Sequence, residues 1–495
     1  MSALRALASQ TAVYGLSTMV GRMLNYLLVP LYTRLFVPAE YGVVTDLYAL
    51  VAFLNVVYTY GMETAYFRKV QQGGVGVYAT AFWSLTLSSV VFSGLLLLGA
   101  PVLAGLLQYP EHPEYVRWFA LILAFDTLAT LPFARLRQEQ KALRYAGIRL
   151  FNIGLNVGLN LFFLIACPWL LQEGIATEVL SSIYQHELGV GYIFLSNLLA
   201  NALTLLWLLP LFPTWKGFDT ALWKEMGWYG IPLLFAGLAG MVNETLDRAL
   251  LKYLLPGTTE ARFYALGIYG AVYKLAMLMA LFTQTFRMAA EPFFFQQAGR
   301  ADARQTYARV MQYFVLAAGA IGLGVLLFLD VVKYFIDPAY FEGLYIVPIL
   351  LLANLFLGVY YNQSIWYKLA DKTRWGMYLS LFGAAITILA NYLLIPSLGY
   401  AGSAWATLLC YAGMMVASYV LGQRHYAVPY RLARMGLYLL SAIALWQLAE
   451  LLVPAPTSWL HWLVRLLLFF AYLLLGFFLE KPAKSVTSSP SEKNQ

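Results

Sequence analysis

The chain has 495 residues, of which 61% are apolar and only 11% are charged, and its mean hydropathy is +0.68. Soluble proteins are about 45–50% apolar and about 25% charged, so this composition excludes a water-soluble enzyme and indicates a polytopic membrane protein. The net charge of +8 comes without a long Lys/Arg block, which is not typical of a nucleic-acid-binding arm, and no nucleic-acid partner is expected.

Fourteen apolar runs predict fourteen membrane-spanning helices, because a span needs about 20 mostly apolar residues that satisfy their own backbone groups. In chain order, the runs cover residues 11–35, 41–67, 78–107, 116–136, 145–171, 190–212, 228–251, 263–286, 307–329, 344–367, 375–395, 401–421, 435–453 and 459–479. With the N-terminus in the cytoplasm, 21 of the 32 Lys and Arg residues fall in cytoplasmic segments and five, among them Lys252, in outer segments. The positive-inside rule therefore predicts an all-α protein with fourteen helices and both termini in the cytoplasm.

An internal repeat relates the start of the chain to the region after Trp223. The first copy contains Tyr14-Gly15, Pro38, Tyr41-Gly42 and Glu63 to Phe67, and the second contains Tyr229-Gly230, Pro256, Phe263-Tyr264 and Glu291 to Phe295. Six helices separate the copies, so both run in the same direction, as in transporters built from two lobes. This predicts six-helix lobes at 1–215 and 216–422, an additional helix pair at 423–480 and a polar cytoplasmic tail at 481–495. Chance similarity between aromatic-rich helices is the alternative.

Charged side chains within the predicted helices need an explanation, because a charge at the bilayer centre costs about 2.5–3.5 kcal/mol on insertion scales. Spacing of i, i+4 predicts that Glu244 pairs with Arg248 and that Arg287 pairs with Glu291. Arg149 and Arg465 are expected to extend to the membrane surface. The charges assigned to a structural or coupling role are Asp46, Glu63, Asp126, Glu244, Asp247, Arg287 and Glu291.

Two cations are harder to explain by local pairing. Arg22 and Lys274 have no acid three or four residues away, and they lie in the first two helices of opposite predicted lobes. Unpaired cations in a membrane face a wet cavity or a partner helix. We therefore predict a cavity between the lobes, lined by Arg22, Asn25, Arg248 and Lys274, that binds an anionic head group such as a diphosphate.

Other chemistry finds little support in the sequence. Cys167 and Cys410 lie in apolar runs and the four histidines are scattered singly, so neither a disulfide framework nor a metal site is expected. No Ser/His/Asp arrangement or nucleotide-binding motif occurs, and no cofactor is expected. Transport would then be driven by an ion gradient, with Na+ or H+ as the coupling ion, by the membrane potential, or by the substrate's own gradient.

Two stretches carry a resemblance to a known family. The opening YGLSTMVGRMLNYLLVPLYTRLFVPAEYG, at 14–42, resembles the first helix and turn of polysaccharide-export proteins of the Wzx type, the O-antigen flippases. NETLDRALLKYLLPGTTEARFYALGIYGAVYKL, at 243–275, resembles the junction of helices seven and eight in the same proteins. The arrangement of 6 + 6 + 2 helices is also similar to the Wzx and MurJ branches of the multidrug/oligosaccharidyl-lipid/polysaccharide (MOP) exporter superfamily, whereas its MATE drug exporters usually have twelve.

The resemblance implies a multi-pass flippase of the bacterial inner membrane and not an enzyme. Such a protein moves an undecaprenyl-diphosphate-linked oligosaccharide to the outer leaflet by alternating access, for cell-surface polysaccharides such as lipopolysaccharide. Its partners would be that substrate and membrane lipids. By this analogy Arg22 matches the helix-one cation of MurJ-like cavities, and Lys274 the helix-eight cation. Phe53 and Asn55 stand where MurJ has an Arg in helix two, which favours a substrate other than lipid II.

Two other classes of function remain alternatives at this stage. An ion-coupled, MATE-like exporter of small cationic compounds would rely on acids such as Asp46, Asp126 and Asp247. A membrane glycosyltransferase or polymerase usually needs a sizeable extramembrane loop to hold its catalytic groups, and no connecting segment here is that long. The sequence does not indicate the sugar, the coupling ion, the oligomeric state or the helix faces that line the cavity.

Overall fold

A computed structural model of the chain describes residues 20–21, 23–24, 26–175, 177–452 and 459–480, and the regular structure within these ranges is helical. The helices that correspond to the predicted runs, numbered in the same order, are α1 Val29–Leu35, α2 Pro38–Thr59, α3 Val77–Leu98, α4 Pro113–Gln138, α5 Ala142–Leu161, α6 Gly191–Leu208, α7 Thr220–Leu254, α8 Thr259–Gln297, α9 Ala303–Leu327, α10 Val347–Gln363, α11 Arg374–Leu398, α12 Tyr400–His425, α13 Leu432–Leu452 and α14 Trp459–Glu480. Further α-helices between them are Met62–Gln71, Ala100–Leu106, Cys167–Gln172, Thr177–Ile183, Leu329–Val332 and Ile365–Leu369. A π-helical turn, Phe162–Ala166, continues α5, and a 3-10 segment, Pro338–Ile346, precedes α10.

The described helices make this an all-helical, polytopic membrane protein. Twelve of them, with continuous neighbours counted together, are long and apolar enough to cross a membrane. At 35 residues α7 is long enough to cross, although it is not one of the twelve. Of the predicted run 11–35, residues 11–19, 22 and 25 lie outside the described residues. The count of fourteen, the cytoplasmic termini and the two six-helix lobes therefore stay predictions. The tail at 481–495 also lies outside the described residues.

Polar residues before α7 and α8 set where these two helices begin. The Asp219 carboxylate accepts hydrogen bonds from the backbone N–H groups of Ala221 and Leu222, at 2.8 and 3.1 Å. The Thr258 hydroxyl accepts one from the N–H of Ala261, at 3.3 Å. Both are N-caps that satisfy donors which an α-helix leaves free at its start. They fix the starts of the two helices that carry most of the charged residues discussed below.

Helices α2 and α8 are in backbone contact near their N-terminal ends. A Cβ atom placed on Gly267 of α8 would lie 1.8 Å from the carbonyl oxygen of Pro38, and one on Gly42 of α2 would lie 2.0 Å from the carbonyl oxygen of Phe263. Only glycine permits such an approach, because any side chain would overlap the facing backbone. This contact closes one end of the space between α2 and α8.

The chain divides into two compact units, and α9, α13 and α14 belong to the smaller one. Within that unit Arg465 is only 2% exposed. Its guanidinium donates to the Leu327 carbonyl oxygen at 2.5 Å and to Glu450 Oε1 at 3.0 Å, and lies 3.7 Å from Asp330 Oδ2. The prediction that Arg465 extends to the membrane surface is therefore wrong. Two carboxylates of neighbouring helical segments compensate its charge inside the unit.

Candidate functional site

A central cavity lies within the larger unit, between α2, α7, α8, α10 and α12. Its volume is about 480 Å³. Tyrosines from several helices line much of it: Tyr26, Tyr41, Tyr48, Tyr273, Tyr361 and Tyr411. Polar side chains on the same walls include Glu244, Arg248, Lys274, Gln284 and Asn354. Large amphipathic rings with a few placed polar groups are typical of ligand-binding cavities.

The two cations of this cavity differ in how they are compensated. The Arg248 guanidinium donates to the Glu244 backbone oxygen at 2.6 Å and to Asp247 Oδ1 at 3.2 Å. Its charged carbon lies 4.5 Å from the centre of the Tyr273 ring, a cation–π contact. Lys274 makes no hydrogen bond or ion pair with another residue in the described part of the chain. Its ammonium is therefore the cation that is open to a ligand.

The acids of α7 are arranged differently from what their spacing predicts. Asp247, not Glu244, supplies the carboxylate that contacts Arg248, and it also accepts hydrogen bonds from the hydroxyls of Tyr269 and Thr407. Glu244 Oε1 accepts a hydrogen bond of 3.4 Å from the Tyr361 hydroxyl, at the wall of the cavity. Asp247 is consequently buried and satisfied, whereas Glu244 is exposed. Arg22 and Asn25, the other two residues of the predicted binding site, lie outside the described residues.

Asp46 does not face the cavity but forms a buried ion pair with Lys252. The distance from Lys252 Nζ to Asp46 Oδ2 is 2.6 Å, and both side chains are at most 1% exposed. The Tyr109 hydroxyl donates to the same carboxylate at 2.6 Å, and Lys252 also donates to the Leu107 carbonyl oxygen at 2.6 Å. Lys252 lies within α7, which ends at Leu254, and its placement on the outer side stays a prediction. Sequence reasoning missed this pair, although an acid without a local partner in a predicted helix was a signal that a distant cation existed.

Two further acids, one just after α2 and one near the C-terminal end of α8, each pair with a cation from another helix. Glu63, in the helix Met62–Gln71, is hydrogen-bonded to the guanidinium of Arg137 at the end of α4. Glu291 receives a hydrogen bond of 2.7 Å from Lys368 Nζ. The predicted pair of Arg287 with Glu291 is present at 3.9 Å. Lys368 was not predicted to take part, since no local spacing links it to α8.

Asp126 lines a second, smaller cavity of about 190 Å³ within α4, α5 and α6, the α4–α6 cavity. The Asn201 side-chain amide donates to Asp126 Oδ1 at 2.9 Å, and Asn152 donates to Asn201 at 3.0 Å and to Thr204 at 2.9 Å. Arg149 lines the same cavity, with its guanidinium 4.1 Å from the centre of the Phe133 ring. Arg149 therefore turns into the protein, and the prediction that it extends to the membrane surface is wrong.

Comparison with known proteins agrees with this fold. The model of a family described as polysaccharide biosynthesis protein matches residues 31–335. Among solved structures, the lipid II flippase MurJ in an inward closed conformation superposes with a TM-score of 0.68 at 11% identity, over 94% of this chain and 98% of that one. An inward-facing MATE family transporter of the MOP superfamily gives 0.61 at 13% identity, over 86% and 95%. A MOP superfamily transporter from Pyrococcus furiosus gives 0.52 at 14%, over 84% and 95%.

These matches confirm the predicted resemblance at the level of fold. The chain shares the fold of these solved transporters. At sequence identities of 11–14%, the superpositions show similarity of fold alone. No curated protein matches the sequence.

Proposed function

We propose that this chain, which belongs to the family of polysaccharide biosynthesis proteins, is a flippase for a lipid-linked oligosaccharide. The substrate would be an undecaprenyl-diphosphate-linked glycan of the bacterial inner membrane, destined for a cell-surface polysaccharide such as an O antigen. The diphosphate would bind in the central cavity, and the lobes at 1–215 and 216–422 would alternately open it to the two sides. No catalytic step is needed, since the substrate crosses the membrane unchanged.

The observation that carries this proposal is the ammonium of Lys274 on the wall of the central cavity, which has no counter-charge within the described ranges. A cation in that place costs stability unless a ligand supplies the counter-charge. Arg248 lies on the neighbouring wall, and the N–H donors of its planar guanidinium suit the oxygens of a phosphate group. Together they offer a point charge and a directional donor to the two phosphates. Arg22 and Asn25 are proposed as further diphosphate ligands on the basis of the sequence.

The experiment follows a fluorescent polyprenyl-diphosphate oligosaccharide from the inner to the outer leaflet of proteoliposomes. We expect Lys274→Ala to slow transport about tenfold or more, because a hydrogen bond to a charged group contributes about 1.5–3 kcal/mol. Arg22→Ala is expected to act in the same direction. Lys224→Ala is the matched control, since Lys224 is an exposed lysine near the start of α7 and its loss removes the same charge outside the cavity.

The alternative is an ion-coupled exporter of small cationic compounds. Glu244 and the tyrosine rings of the central cavity favour it, because carboxylates and aromatic faces attract organic cations. If the protein is such an exporter, an ion gradient should drive export of a cationic dye from the same liposomes, and Glu244→Gln should stop that export. Wild-type protein that moves the dye but not the lipid would replace our proposal with this one. Transport of the lipid at the wild-type rate by Lys274→Ala would remove Lys274 from the site.

A further inference from the structure

A third cavity adjoins the central one and has no role in the function proposed above. It has a volume of about 690 Å³ and lies between α7, α10, α11 and α12, next to the short helix Ile365–Leu369; we name it the α7–α11 cavity. Glu244, Leu357, Tyr361 and Tyr411 line both this cavity and the central one, so the two share a wall. Its volume lies within the range of about 300–1,000 Å³ that is typical of ligand sites.

Tyrosines and hydroxyl groups dominate the lining of the α7–α11 cavity. The tyrosines are Tyr360, Tyr361, Tyr367, Tyr378 and Tyr411, and the hydroxyl residues beside them are Ser364, Thr373 and Ser380. Tyr378 is 49% exposed, so part of its ring is accessible to a ligand. Asn243 and the Glu244 carboxylate add an amide and an acceptor. The walls therefore combine flat apolar surfaces with short donors and acceptors.

Three cations line this cavity: Arg287 and Lys368, which are both paired, and Arg374, which is exposed at the start of α11. Lys368 is bound to Glu291 at 2.7 Å. Arg287 lies 3.9 Å from the same carboxylate, and its guanidinium lies 4.4 Å from the centre of the Tyr361 ring. A diphosphate entering here would compete with Glu291, whereas a neutral ligand would not. Apart from Arg374, the remaining lining is rich in ring faces and hydroxyls, and the hydroxyls of Tyr361, Ser364 and Tyr411 also hydrogen-bond within the protein. Such a lining matches a sugar: its C–H faces stack on aromatic rings, and its hydroxyl rim donates and accepts hydrogen bonds.

The geometry of α7 connects the two cavities. Gly240, Glu244 and Arg248 are spaced i, i+4, i+8, so they lie on one face of the helix over about 12 Å at 1.5 Å per residue. Arg248 lines the central cavity, Glu244 lines both, and Gly240 lines the α7–α11 cavity. A ligand with its diphosphate at Arg248 would therefore place the next groups beside Glu244 and Gly240.

We propose that the α7–α11 cavity is the glycan subsite, which holds the first sugars of the lipid-linked substrate while the diphosphate occupies the central cavity. This inference rests on the proposed flippase function and adds a second binding region to it. Tyr361 lies between the two subsites. Its hydroxyl donates a hydrogen bond to Glu244, and its ring makes a cation–π contact with Arg287. The selectivity of the protein for its glycan then resides in α7, α10 and α11.

Gly240 provides a direct test, because a Cβ atom placed there meets no heavy atom within 4 Å. Gly240→Trp would fill the cavity without a clash at its attachment point, and Gly240→Ala is the matched control. The measurement is the dissociation constant of the purified full-length protein for two fluorescent lipids. One is a polyprenyl-diphosphate oligosaccharide, and the other is the same polyprenyl diphosphate without sugar.

We expect wild-type protein to bind the glycan lipid more tightly than the bare lipid. Gly240→Trp should weaken binding of the glycan lipid about tenfold and leave the bare lipid unchanged, because it excludes the sugar sterically. Lys274→Ala should instead weaken both lipids. A second variant, Tyr378→Ala, should weaken the glycan lipid selectively, and Tyr378→Phe should restore it by keeping the ring.

Several results would overturn the glycan subsite. Equal weakening of both lipids by Gly240→Trp would mean that the cavity receives the polyprenyl chain or controls access. No effect on either lipid would mean that the glycan does not enter. Both outcomes leave the flippase proposal intact so long as wild-type protein binds the lipids and Lys274→Ala weakens them. Wild-type protein that binds neither lipid would overturn the flippase proposal together with the subsite.

Discussion

Lys252 of α7 and Lys274 of α8 meet opposite surroundings. Lys252 is fully buried and satisfied by Asp46 and the Leu107 carbonyl oxygen. Arg248 lines the central cavity, where its neighbour across the space, Lys274, has no protein partner among the described residues. The carboxylate and the carbonyl oxygen around Lys252 already satisfy its charge, whereas the described residues around Lys274 leave its charge open to a ligand. Position in the membrane is therefore a poorer guide to function than whether the counter-charge is already present.

The difference also separates two kinds of energetic consequence. Removing one member of a buried ion pair strands the other in a medium that solvates it poorly, so the cost falls on stability. Removing a cation that has no counter-charge among the described residues strands no partner there, so the cost falls on the ligand. Substitutions at the two sites should thus act on different measurements.

The largest effect on stability is expected for Lys252→Met. It leaves the Asp46 carboxylate buried with only the Tyr109 hydroxyl, and breaking such pairs costs about 3–5 kcal/mol. The free energy of unfolding in mixed detergent micelles measures this loss. The control is the double variant Asp46→Asn with Lys252→Met, which removes both charges and should recover most of the stability. A double variant less stable than Lys252→Met would contradict the assignment of Asp46 and Lys252 as a self-contained pair.

A smaller loss is expected for Gly267→Ala, at the backbone contact between α2 and α8. The new methyl would overlap the Pro38 carbonyl oxygen, 1.8 Å away, and forced separation of packed elements costs about 1–3 kcal/mol. The same unfolding measurement applies. Gly240→Ala provides the comparison, since its methyl enters open space in the α7–α11 cavity, and it should unfold like wild type. Equal stability of the two variants would show that α2 and α8 separate at little cost.

The helices themselves could largely be predicted from hydropathy, because each span must be apolar throughout its length. The run 401–421 lies within α12, and 375–395 lies within α11. The run 228–251 stops one residue before Lys252, since the charge marks the end of the apolar window. The helix continues to Leu254 because a distant carboxylate compensates that charge. Where a helix end contains a charge that a residue of another helix compensates, the composition of the local sequence does not predict that end.

The contacts of the site were harder to predict for a related reason. Nearly every face of these helices is apolar, so periodicity does not distinguish the face that lines a cavity from the face that meets lipid. Lys274 and Arg248 could be chosen because a charge in a membrane helix carries its own signal; both line the central cavity, and their role in binding stays a prediction. Tyrosines carry no such signal, and the α7–α11 cavity was therefore missed.

The smallest effect is expected at an ion-pair cluster after α4, where water competes with the partners. Arg135 Nε and Lys141 Nζ each lie 2.6 Å from the Glu139 carboxylate. The Lys141 ammonium, opposed by partial burial and aided by Arg135, holds the pKa of Glu139 below its usual value of 4.5. A depressed pKa in the folded state contributes stability above the unfolded value and loses it as the pH falls through the folded value. The stabilisation should therefore decline below about pH 4.5.

The amount is expected to be no more than about 1 kcal/mol, because the partners are exposed and salt screens them. Unfolding of wild type and Glu139→Gln, compared at pH 6 and pH 4, isolates the contribution of Glu139. The variant should be less stable than wild type at pH 6, and the difference should be smaller at pH 4 and in high salt. A loss at pH 6 as large as that of Lys252→Met would remove the distinction between buried and exposed pairs from which these predictions start.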